Sequence, residues 1–256
     1  MSYPTGLEIS RGIAKGLEAH HVFGRNRDVR DTFAPVSIDG IYRTPTPDNA
    51  TQLRIKAGGN ANDTALGSGA QSIKLIGLDP QGYKISETIA TAGASASDPT
   101  EQSFIRLLSA EVASSGVYAS QTTPSHQGEI VIEDAAGNED WATIAADNIG
   151  RGRTQIGVYT VPRDRSITIP HLRASCDRDQ RVTLVLFTRQ SILETSAPFA
   201  PMLLLEEFTQ IGGVHDFVFD PPLGKFEELT DVGFLAYRQG TSVDVAISFE
   251  VEEARP

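Results

Sequence analysis

The residues of this chain that could ligate metals or move protons are five histidines (His20, His21, His126, His171 and His215), the single Cys176 and several pairs of adjacent acids. The histidines form no HExxH or HxH spacing, the patterns that bring two imidazoles onto one ion. His20 and His21 are neighbours, and neighbours on an extended chain point to opposite faces, so they are read as surface or interface residues. No strand carries the two close histidines that a cupin-type oxygenase would require. Cys176 has no partner for an intramolecular disulfide and no thiolate companions for a metal site, so a buried reduced thiol is expected. Glu133-Asp134-Ala135-Ala136-Gly137-Asn138-Glu139-Asp140 could gather oxygens around Ca²⁺ but lacks the EF-hand spacing, which favours a charged turn. Glu206-Glu207 and Glu227-Glu228 are neighbours in sequence, which on a strand point to opposite faces, and so do not flank one glycosidic bond. They suit the edge charges that block unwanted strand pairing.

Other catalytic signatures are missing. Neither GxxxxGK[ST] nor a strand-GxGxxG-helix unit occurs, and the glycine-rich loop from Gly58 to Gly69 has no lysine to meet a phosphate. No GxSxG elbow presents a serine nucleophile. The expectation is therefore a non-enzymatic protein without catalytic, cofactor-binding or metal residues. A net charge of -11, from 33 acidic and 22 basic residues, repels phosphate backbones and anionic lipid, which argues against nucleic acid and membrane partners. With 39% hydrophobic and 21% charged residues, and no apolar run of about 20, the chain reads as soluble. The N-terminus shows no secretory pattern, so synthesis in a cytoplasm is expected. A sugar-binding platform would need exposed aromatic faces, for which Trp141 and Tyr237 are the stacking candidates.

The elements that must position these residues follow from periodicity. The 256 residues suffice for a chain that buries about 70% of its surface. From Thr51 onward, apolar and polar residues alternate in short runs broken by turn formers every 8 to 15 residues, the pattern of an all-β sandwich or barrel. Asp79-Pro80-Gln81-Gly82 places proline and glycine where a type I turn needs them, between strands over 72–78 and 83–90. The last strand, 242–251, alternates Val243, Val245, Ile247, Phe249 and Val251 with Asp244, Ala246, Ser248 and Glu250, so one face is core. About thirteen strands result. Residues 1–44 lack either period and read as an extended N-terminal arm, with Leu17, Val22, Phe23 and Phe33 as its anchoring side chains. A small β domain over 45–150 and a jelly-roll-like sandwich over 151–256 follow, divided near Asn148–Arg153, with a single interwoven domain as the rival. The run Ala197-Pro198-Phe199-Ala200-Pro201-Met202-Leu203-Leu204-Leu205 does not alternate. It is either buried on both faces, the reading composition favours, or covered by another subunit.

Several segments together resemble a family of virion structural proteins of tailed bacteriophages: the AGGNANDT loop from Ala57, the hairpin SIKLIGLDPQGYKISETI, Ser103-Phe104-Ile105-Arg106, Gly128-Glu129-Ile130-Val131-Ile132, the stretch from Gln155 to Pro162, and the end from Phe226 to Val251. The resemblance implies a non-enzymatic building block made of β-sandwich domains, present in symmetric copies in the virion and assembled in the host cytoplasm. It carries no catalytic or cofactor residues. A capsid decoration or cement protein that docks on the major capsid protein is the leading expectation. A neck, collar or tail component, and a module attaching to host-surface glycans, are the alternatives. By analogy of fold the chain is expected to be a homo-oligomer, a trimer as first choice. Its interface would draw on Leu17, Val22, Phe23 and Phe33 of the arm and on Phe199, Met202 and Leu203.

Overall fold

The computed structural model describes residues 8–9, 11–43, 50–120, 123–146, 152–177 and 179–255. The described chain is all-β. Its strands begin with β1 (Leu17–Val29), β2 (Ala34–Pro35), β3 (Leu53–Ile55), β4 (Ala70–Leu78), β5 (Lys84–Ala90), β6 (Arg106–Ser115), β7 (Ile130–Asp134) and β8 (Asp140–Ile144). They continue with β9 (Val158–Thr160), β10 (Ser166–Cys176), β11 (Val182–Arg189), β12 (Met202–Ile211), β13 (Val214–Phe226), β14 (Asp231–Tyr237) and β15 (Val243–Ala254). Among the described residues, no helix is long and apolar enough to cross a membrane.

The chain divides into two compact units. The first takes Met1–Gly40, Gly157–Ile192 and Pro198–Pro256, and the second takes Ile41–Ile156 and Leu193–Ala197. The expected boundary at Asn148–Arg153 falls mostly outside the described residues.

The first unit is a β-sandwich of jelly-roll-like build. One sheet runs β1-β15-β10-β13 and the other β12-β11-β14-β2, with β9 also paired to β14. The alternation of β15 does what its sequence requires: Val243, Val245, Ile247, Phe249 and Val251 are all buried, each contributing roughly 1.5–3 kcal/mol of apolar transfer. Phe249 meets Phe234 of β14 with ring centroids 5.3 Å apart, tying one sheet to the other. β11 is apolar on both faces because β12 and β14 flank it and both faces are covered.

The N-terminal segment corrects the expectation of a separate arm. β1 is an integral strand, paired antiparallel with β15 from Leu17 opposite Ala254 to Val29 opposite Val243. Its alternation is hidden because two inward positions are not apolar. At Gly24 a Cβ would sit 2.2 Å from the Val36 carbonyl oxygen and 2.4 Å from Gly157 Cα, so only glycine permits that backbone approach. Asn26 is buried, with Nδ2 donating to the Pro35 carbonyl (2.9 Å). β13 also departs from expectation, since pairing continues past the turn expected at Asp220–Gly224 to Phe226. It lies at the edge of its sheet, where a proline without an N–H is tolerated.

The second unit holds two three-stranded sheets, β3-β7-β8 and β5-β4-β6. Leu53, Ile73, Leu75, Phe104, Ile132, Trp141 and Ile144 form its core. The β4–β5 hairpin turns at Asp79–Gly82 as its chemistry demands: Gly82 N–H donates to the Asp79 carbonyl (2.9 Å), and Asp79 Oδ1 accepts from the Gln81 and Tyr83 amides. The polar loop before β4 is organised by buried Asp63, whose carboxylate accepts from the amides of Ala70 (2.7 Å), Gln127 (2.9 Å) and Gly128 (2.9 Å). Loss of such a charged acceptor would leave three amides to find new partners.

Candidate interaction surface

The feature of the first unit that its own packing does not use is the N-terminal half of β12. β12 is an edge strand paired only with β11, and no described strand pairs with its other side. Its ladder shifts register between Leu186 opposite Glu206 and Phe187 opposite Leu204, so Leu205 is the extra residue of a bulge. Residues 202–207 are all exposed, including Met202 to Leu204, which pair in regular register, so neither face of this half is covered; Leu203, Leu204 and Leu205 show 49%, 61% and 47% of their surface. The strand is held farther along by Phe208, whose ring lies 4.9 Å from Phe217 of β13, and by buried Ile211.

Phe199, Met202 and the three leucines together expose on the order of a few hundred Å² of apolar side chain, comparable to the largest patch of an ordinary monomer, which is often functional. Glu206 and Glu207 follow at once, exposed on the same edge. They fit the expected role of edge charges that oppose open-ended strand addition.

The residues expected to form an interface separate into three groups. Phe199, Met202 and Leu203 come together on or beside β12, where the expectation that this run is core gives way to exposure. Phe23 is exposed on the outer face of its sheet, opposite Ser248, and Phe33 is exposed with its ring 5.2 Å from Tyr237. Leu17 is half-buried at the start of β1, and Val22 is buried in the core, which removes Val22 from any docking surface. Sequence reasoning missed Val214 and Val218, which lie on the outward face of β13 with Asp216, while His215, Phe217 and Phe219 are half-buried on the other. The signal was present, since Val214 to Phe219 carries apolar residues on both strand faces.

The remaining chemical candidates find structural uses. Glu133 accepts from Arg54 Nε (2.8 Å), Lys56 Nζ donates to Asp140 (2.8 Å), and Asp134 accepts from the amides of Ala136, Asn138 and Glu139. The acidic segment is a charged turn whose carboxylates already have partners. Trp141 is buried with the Arg43 guanidinium 4.8 Å from its ring centre, which corrects its assignment as a sugar-stacking platform. Tyr237 is half-buried against Phe33. His126 is buried with Nε2 3.1 Å from the Ala145 carbonyl oxygen, and His215 Nε2 lies 2.9 Å from the Gly212 carbonyl oxygen. Cys176 is half-buried, and burial raises its thiol pKa, so the nucleophilic thiolate is disfavoured.

No protein-family model matches the chain, and no curated protein does. Among solved structures, the chain is similar to a protein of the T13 viral particle of infectious bursal disease virus, at 10% identity over 94% of this chain and 75% of that one, with a TM-score of 0.20. The particle of the Gx strain of the same virus gives 11% identity, 93% and 76% coverage, and a TM-score of 0.21. Likenesses at these scores carry no argument about what this chain does.

Proposed function

We propose that this chain is a non-enzymatic structural component of a virus particle, of the tailed-phage kind its sequence resembles, and that it works as a capsid decoration protein docked on the major capsid protein. The supporting observation is the exposed apolar half of β12, Met202–Leu205, on an edge strand with an unpaired side. A partner that covers it removes apolar side chains from water and can pair with the free strand edge, two contributions that favour protein–protein association. A decoration protein stabilises a shell by binding the assembled lattice and not its free subunits.

Quantitative mass spectrometry of purified particles tests this reading through the number of copies per major capsid protein. A ratio of about one copy per few capsid subunits is expected, because only the capsid lattice offers so many equivalent sites. A ratio of a few per cent moves the protein to the neck or tail, and absence from particles removes the structural role. Particles assembled with Leu203→Ser, Leu204→Ser and Leu205→Ser combined should lose most of the protein; full occupancy would show that β12 is not the docking strand.

A further inference from the structure

We propose that Glu18, His20 and Glu253 form a binding site for a zinc-class divalent ion at one end of the first unit. The register of β1 against β15 sets Glu18 directly opposite Glu253 and His20 opposite Val251. Because strand side chains alternate, Glu18 and His20 share the face of buried Val22, and Glu253 shares the face of buried Val251 and Phe249. His20 Nε2 lies 3.6 Å from Glu18 Oε2 and 3.7 Å from Glu253 Oε2. All three ligand atoms lie within 4.8 Å of one another.

Those separations suit a small ion. Bonds of about 2.0–2.1 Å at tetrahedral angles place ligand atoms about 3.3 Å apart, so His20 Nε2 is already close to that spacing from both carboxylates, while the two carboxylate oxygens, within 4.8 Å of each other, close by up to about 1.5 Å through rotation of the exposed Glu18 side chain. One imidazole and two carboxylates match the nitrogen and oxygen donors of zinc-class ions, whereas Ca²⁺ and Mg²⁺ take oxygen alone. Three protein ligands leave a fourth position for water. Glu18 and His20 are 47% and 30% exposed at the side chain, which gives an ion a way in, while Glu253 is 1% exposed.

The surroundings hold the buried ligand in place. Tyr159 O–H donates to Glu253 Oε2 (2.7 Å) and Arg165 Nε pairs with Oε1 (3.2 Å), the outer partners that orient a ligating carboxylate. Two carboxylates directly opposite on neighbouring strands repel one another, and a divalent ion between them reverses that interaction. Arg165 on Glu253 and Arg255, 3.8 Å from Glu18 Oε1, offset part of the gain, so the affinity falls below that of an all-cysteine structural site.

The test is calorimetric titration of the tag-free full chain with ZnCl₂. One ion per chain is expected, with binding weakened at least tenfold in His20→Ala and in Glu18→Gln and unchanged in His21→Ala, whose imidazole is exposed on the opposite face of β1. Glu18→Gln alters an exposed side chain and keeps the fold if His20→Ala does not. No saturable binding, or Zn²⁺ bound equally well by either variant, overturns the site.

Discussion

β12 and β15 are both long strands rich in large apolar residues, and both belong to the sandwich of the first unit, yet they do opposite things. β15 has neighbours on both sides, β1 and β10, and a strict two-residue period, so its apolar row is entirely core. β12 has one neighbour, a bulge at Leu205 and no cover on either face of its first half, so its consecutive leucines are left in water. The lesson is that apolar content does not by itself decide burial. Period and the covering of a sheet face do: β1 also has one neighbour, yet its inward Val22 and Val29 are buried.

The contrast can be broken most severely by removing a strand that β15 depends on. Deleting residues 1–35 takes away β1, with the buried Val22 and Val29 and the Arg25–Asp244 ion pair across the ladder. The first unit should then lose its cooperative unfolding transition, seen by circular dichroism and limited proteolysis; an intact transition would show that β1 is dispensable. Phe249→Ala follows, at about 3–5 kcal/mol of lost stability, because a fully buried ring facing Phe234 is replaced by a cavity. Denaturant unfolding measures this directly.

A smaller effect should appear with pH at the end of β15. Tyr159 has its folded-state pKa raised above the ordinary value of 10.0, first by burial and then by Glu253. Above about pH 10 the unfolded chain releases this proton while the folded chain keeps it, so stability present at lower pH falls as pH rises. Tyr159→Phe should flatten that fall when urea midpoints are compared at about pH 9 and about pH 11. The smallest stability effect belongs to β12. Leu204→Ser should change the unfolding free energy by no more than about 0.5 kcal/mol, as exposed positions do. A loss as large as that of Phe249→Ala would mean that β12 is held by its own unit after all.

Much of the architecture was legible in the sequence because most strands bury only one face. The β4–β5 hairpin could be read from Asp79-Pro80-Gln81-Gly82, and the core face of β15 from its alternation. β1 could not, since Gly24 and Asn26 occupy inward positions for reasons of backbone clearance and a side-chain hydrogen bond, neither of which leaves a hydrophobic period. Of the candidate surface, Phe199, Met202 and Leu203 were legible as an apolar run without alternation. Val22 was misread with the segment around it.

By itself, the sequence determined the all-β class, the turn positions and the apolar face of β15, because these depend on contacts and backbone preferences a few residues apart. Only the tertiary structure decided that β1 joins the C-terminal sandwich, that β12 stands at an edge, and that Glu18, His20 and Glu253 converge. Each of these depends on which strands become neighbours and in what register. Register between strands more than two hundred residues apart, as for β1 and β15, is set by packing of the whole sheet and leaves no mark in local spacing.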